Sequence, residues 1–129
     1  MEEFGYEKLD VYQRAMEFLA QAYALIDRLP KGYSTLADQL RRSSLSIPLN
    51  IAEGSGKWTA PDRCRFYDIA RGSALECAAA LDVAVVKKAL RAEEITDAKQ
   101  VMVAVVSMLV ALIKSVSPNR NYQRPEDKV

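Results

Sequence analysis

Apolar residues recur along this chain at steps of three and four, in four runs parted by short breaks rich in Pro, Gly, Ser and Lys. That spacing belongs to α-helices with one side buried. No run alternates polar and apolar residues between turn signals, so strands are not expected. A chain of 129 residues is one domain by length and can bury a real core. The pattern predicts an all-α fold, an antiparallel up-down four-helix bundle over residues 1–116 with a flexible C-terminal tail at 117–129.

The first helix is expected from Leu9 to Leu29. Leu9, Tyr12, Met16, Leu19, Tyr23 and Ile26 form its inward seam, and Pro30 and Gly32 stop it. The second starts at Ser34 or Thr35, with Ser34 as N-cap. The third opens at Thr59-Ala60-Pro61-Asp62, where Thr59 caps and Pro61 suits the first turn. Tyr67, Ala70, Ala74, Cys77, Leu81 and Val85 line one of its edges. The fourth begins near Ala92, with Glu93 and Glu94 where acid suits the helix dipole. Its seam is Ile95, Ala98, Met102, Val105, Leu109, Leu112 and Val116.

Val101, Val103, Val106, Val110 and Ile113 lie off that last seam and are apolar too. A helix apolar nearly all round is buried nearly all round, yet a single bundle covers only one side of each helix. The expectation is a subunit interface near Val103, Val106 and Val110; the alternative is cover from loops or the tail.

The second helix holds the most unusual stretch, Ser46-Ile-Pro-Leu-Asn-Ile-Ala-Glu-Gly54. Pro48 has no N–H to give and crowds the carbonyl of Ser44, so a kink is expected there. Ser43, Ser44 and Ser46 can supply local hydrogen bonds. Gly54 offers a left-handed cap to end the helix. Ser46, Pro48, Asn50, Glu53 and Gly54 together read as a structural kink motif. Asn50 and Glu53 are expected to hydrogen-bond near the kink, with Glu53 accepting from Asn50, an Arg or backbone groups.

The run from Gln39 to Gly54 resembles the signature of a bacterial family of four-helix-bundle proteins first noticed within intervening sequences of large-subunit rRNA genes. The accessory protein of diversity-generating retroelements is a relative. The resemblance extends to Leu9-Asp10-Val11-Tyr12-Gln13-Arg14-Ala15 and to Arg65–Glu76. Position 49 is often small and polar in such proteins, and here it is Leu. The resemblance implies a ring-like homopentamer. By analogy with the retroelement relative it also implies contact with RNA or DNA and with a reverse transcriptase.

Composition excludes several chemistries. The net charge is +1, which does not announce a strongly basic nucleic-acid binder. There is no histidine, so zinc sites and the Glu-x-x-His pairs of di-metal bundles lack ligands, and no cofactor is expected. Cys64 and Cys77 on one helix lie about 20 Å apart along its axis and cannot pair. Gly54-Ser55-Gly56-Lys57 is not a phosphate loop: Ile51 stands where the first glycine belongs, and Trp58 follows the lysine. Gly72-Ser73-Ala74 is not a nucleophile elbow. The chain reads as a non-enzyme.

No charged segment followed by an apolar one opens the chain, and the apolar run Val101–Ile113 is shorter than a membrane span. The expected compartment is the cytoplasm, with no membrane partner. Arg41, Arg42, Lys57, Arg63, Arg65 and Arg71 are interleaved with Trp58, Phe66 and Tyr67, the mix by which single strands are held. Asp38, Asp62 and Asp68 dilute that field, and mixed charge is usually a solvated face. The expected function is a non-catalytic oligomeric module that binds RNA, DNA or a nucleic-acid enzyme through a repeated basic surface. The alternative is a protein-interaction scaffold without nucleic-acid binding.

Overall fold

The structure, a computed structural model, describes residues 4–118. A short 3-10 turn, Gly5–Lys8, leads into four helices: α1 (Asp10–Arg28), α2 (Ser34–Ser55), α3 (Ala60–Val86) and α4 (Ala92–Val116). No strand occurs among the described residues. The predicted tail lies outside them from residue 119 onward. Each helix packs on its neighbours in the cyclic order α1, α2, α3, α4 and back to α1, without diagonal contacts among the described residues. Phe18, Leu40, Ile47, Ile51, Leu81, Met102, Val105 and Leu109 fill the centre.

The inward seam of α1 differs from the expected one. Val11, Ala15, Phe18, Ala22, Leu25 and Ile26 are buried, whereas Met16 and Tyr23 are 42% and 44% exposed. Two stripes of the helix carry heptad spacing, and the bulkier one is not the buried one. Ala15 and Ala22 belong inside because small side chains let the neighbouring helices approach. Tyr6 of the short 3-10 turn meets Tyr12 of α1 edge-on, with ring centroids 4.9 Å apart.

Pro30 follows α1 closely, and Gly32 adopts φ +102°, a turn that favours glycine. Tyr33, not Ser34, precedes α2, with no side-chain cap; Ser34 is the first helical residue. The Tyr33 hydroxyl instead donates to the Lys87 carbonyl at 3.2 Å, tying the start of α2 to the end of α3. α2 runs unbroken through Pro48.

α3 opens as its residues dictate, with the Asp62 N–H donating to the Thr59 hydroxyl and Pro61 in the first turn. It closes without a glycine. Lys88 takes φ 60°, while the Ala89 N–H bonds the Ala84 carbonyl and the Lys88 N–H bonds that of Val85, both at 2.9 Å. This is a Schellman closure with lysine in the left-handed position. α4 then starts with Glu94 accepting from the Arg91 N–H at 2.9 Å and from Arg28 at 3.1 Å. The Arg91 backbone bond comes first in holding the Glu94 carboxyl below its usual range; slight desolvation opposes, and the two arginines assist.

Val101 and Ile113, placed off the α4 seam above, are buried in the core. The seam is thus broader than a heptad stripe, as a bundle helix with two neighbours requires. Val106 and Val110 are half-buried, and Val103 is 67% exposed. α4 is 25 residues long and contains an 18-residue window of mean hydropathy 1.8, enough by length and composition alone to cross a membrane. The apolar run Val101–Ile113, counted alone in the sequence, understated it. In the fold, α4 supplies Ile95, Ala98, Val101, Met102, Val105, Leu109 and Ile113 to the core.

Candidate nucleic-acid interface

α2 and α3 share the most intimate packing in the molecule, along a seam of small and polar side chains. Cys77 donates to the Ser43 hydroxyl at 3.1 Å, Ser73 donates to Ser46 at 2.9 Å, and Ser55 meets the Tyr67 hydroxyl at 3.1 Å. The contacts descend α3 as they ascend α2. Burial pushes the Cys77 thiol up to about 11, against the lowering effect of the Ser43 bond and with a small raising effect from Glu76. Such a thiol is not a nucleophile at neutral pH. Cys64 is buried as well, and neither cysteine is paired.

The predicted kink motif resolves into separate roles. The Asn50 side-chain amide donates to both the Ser46 carbonyl and its hydroxyl, at 2.8 and 2.9 Å. Asn50 thus braces Ser46, which in turn meets Ser73 across the helix pair. Pro48 is buried. Glu53 makes no such bond: it is exposed and pairs with Lys57 at 3.3 Å. Gly54 does not end the helix. It lies within α2, and the helix closes two residues later at Gly56, whose φ is −89°. Gly54 is buried because Tyr67 packs on it: a Cβ there would lie 2.8 Å from Tyr67 Cε1 and 3.1 Å from the Arg63 carbonyl. The glycine serves close helix approach rather than chain reversal.

Arg63 faces inward. Its Nε donates to the Lys57 carbonyl at 3.1 Å and its NH2 group to the Ser55 carbonyl at 3.5 Å. It thereby satisfies carbonyls freed at the end of α2 and fixes the turn into α3. With the turn fixed, Lys57, Trp58, Arg65 and Phe66 gather at the end of the bundle. Lys57 Nζ sits 4.9 Å from the Phe66 ring centroid, and the Arg65 guanidinium carbon 4.6 Å from it. Trp58 is 98% exposed.

The remaining predicted cations are scattered. Arg41 pairs with Asp38 at 2.8 Å within exposed α2. Arg42 is exposed one residue further on. Arg71 is half-buried and pairs with Asp68 at 3.6 Å. Arg41 lies about 24 Å from Lys57 along the axis of α2, so the six cations do not make one patch. Lys57 and Arg65 come together over Phe66, with Arg63 turned in against the Lys57 backbone. Arg63's inward role was not read from the sequence. Its only signal was its position one turn past the α2 stop, where a cation suits the free carbonyls. No cluster of three or more metal-ligating side chains occurs among the described residues.

A family model described as 23S rRNA-intervening sequence protein matches residues 7–111, from the leader turn through most of α4. The chain belongs to that family. The intervening-sequence fold is also found in a crystal structure from Bacteroides thetaiotaomicron VPI-5482, described as a protein of unknown function from the S23 ribosomal protein family. The two are 22% identical with a TM-score of 0.75, over 81% of this chain and 98% of that one. At that identity the likeness concerns the fold. No curated protein matches this intervening-sequence protein.

Proposed function

We propose that this intervening-sequence protein is a non-catalytic module of the cytoplasm that assembles into a ring of identical subunits and binds RNA or DNA through basic groups repeated around it. The observation that carries the reading is a pair of unlike apolar surfaces. α1 and α2 expose Met16, Tyr23, Leu45 and Leu49; α3 and α4 expose Ile69, Leu75, Val83, Val86 and Val103. Helices in cyclic contact put the α1/α2 edge opposite the α3/α4 edge. Two different patches on opposite sides favour head-to-tail contact, which gives a ring when the rotation closes. Five subunits is the number implied by the resemblance to the retroelement accessory protein, which also suggests a reverse transcriptase as a partner.

Val106 and Val110 continue the α3/α4 surface toward the core, in keeping with the interface expected there. A ring multiplies weak phosphate contacts into useful avidity. Light scattering on the purified protein tests the assembly, and labelled RNA and DNA titrated across a salt series test the binding. A single subunit at micromolar concentration removes the ring. Absent or salt-independent binding leaves a protein-interaction scaffold, whose partners would survive nuclease treatment of the lysate.

A further inference from the structure

We propose that the α2–α3 turn is a binding site for an unpaired nucleobase with its flanking phosphates, the base stacking on Trp58 and the phosphates meeting Lys57 and Arg65. The inference rests on the nucleic-acid reading above and assigns it a place. Three observations meet at this turn. The Trp58 indole is 98% exposed, and its immediate chain neighbours are Lys57 and Thr59, so no apolar surface adjoins it in sequence. Lys57 and Arg65 both lie over one ring, Phe66, at 4.9 and 4.6 Å. The turn is held from beneath by Arg63, which ties Lys57 and Ser55 to the start of α3.

An exposed indole set among cations fits a partner that offers a flat π-face between anionic groups. Single-stranded nucleic acid is such a partner: bases stack on aromatics while phosphates track cations. A protein hot spot instead needs a ring of further apolar contacts to exclude water. Here the other ring at the turn, Phe66, lies beneath Lys57 and Arg65, so cations cover it. The acids Glu53 and Asp62 stand nearby; Glu53 pairs with Lys57 at 3.3 Å, an exposed pair that a phosphate can replace. Phe66 restricts the sweep of both cations, so less freedom is lost when they meet phosphate. In a cyclic assembly every subunit presents this turn at the same end, which lets one strand touch several copies.

Trp58 is the only tryptophan in the chain, so its fluorescence reports on this site alone. The test titrates the full-length protein with labelled single-stranded oligouridylate and oligothymidylate, and with a blunt duplex, reading anisotropy and tryptophan emission together. The expected result is emission quenched in step with single-strand binding, and tighter binding of single strands than of duplex. Trp58→Ala weakens single-strand binding about fivefold or more, and Trp58→Phe restores much of it. Lys57→Gln with Arg65→Gln lowers the slope of log affinity against log salt by about 0.7 per cation removed. Binding without quenching, unchanged in Trp58→Ala, overturns this site and leaves the nucleic-acid reading standing. No binding by any oligonucleotide overturns both. Emission that shifts blue with protein concentration alone puts Trp58 in a protein contact and also overturns the site.

Discussion

Gly54 and Cys77 show what single side chains contribute where α2 meets α3. Tyr67 leaves no space over Gly54, and its own hydroxyl is held by Ser55 at 3.1 Å, so the ring cannot move freely aside. Gly54→Ala gains helix propensity but forces the helices apart, and overpacking of this kind costs about 1–3 kcal/mol. The expected outcome is a lower Tm in thermal unfolding. An unchanged or higher Tm would mean that the helix pair relaxes around the extra methyl. At Cys77 the folded state keeps a proton that the unfolded state releases from pH 9.0 upward, because burial raises the thiol to about 11. More protons on the native state make stability fall as pH rises. The contribution is complete below 9.0 and is lost as pH climbs through about 11. Two pKa units correspond to about 3 kcal/mol. Urea unfolding across that window, compared with Cys77→Ala, isolates the effect: the variant should lack this part of the slope.

At the scale of elements, α3 is closed by a lysine where a glycine is the usual residue. Lys88 at φ 60° carries left-handed strain of about 1–2 kcal/mol. Glycine would relieve it while costing about 0.5–1 kcal/mol of unfolded-chain entropy. Lys88→Gly should therefore stabilise the protein by about 0.5–1 kcal/mol, read as a higher urea midpoint at constant m. Element ends of this kind show how far the sequence could be read. The helices and the Thr59–Asp62 start were legible, because caps and three-four spacing are local. The Lys88 closure was not, since no glycine marked it. The α1 seam misled because Met16 and Tyr23 carry the spacing, while Ala15 and Ala22 do the packing. Gly54 was legible as special but not in its purpose, which depends on Tyr67, a residue distant in sequence. The cations were legible as a composition and not as a place. Arg63 turns inward to the Ser55 and Lys57 carbonyls, a contact between the end of α2 and the start of α3, whereas Arg71 pairs with Asp68 one turn away on its own helix.

At the scale of the whole molecule, the exposed apolar surfaces decide between a ring, a two-fold dimer and a subunit that stands alone. Val103→Glu places a charge on the α3/α4 surface at a residue 67% exposed in the subunit, so helicity by circular dichroism should be unchanged. Burying that charge between subunits without a partner is unfavourable, and light scattering should report loss of the ring. Met16→Glu should do the same from the α1/α2 surface, where the residue is 42% exposed. Mixing the two variants separates the geometries. In a head-to-tail ring each variant retains one sound surface, and the sound α1/α2 surface of the Val103→Glu chain can still receive the sound α3/α4 surface of the Met16→Glu chain. The mixture should then form a one-to-one dimer that cannot grow, although neither variant associates alone. A two-fold contact uses the same patch on both partners. If that patch is the α3/α4 surface, Met16→Glu has no effect by itself; if it is the α1/α2 surface, Val103→Glu has none. Dimer formation only on mixing is thus the outcome that head-to-tail contact alone produces, and the finite size of the unmutated assembly in light scattering marks its closure into a ring.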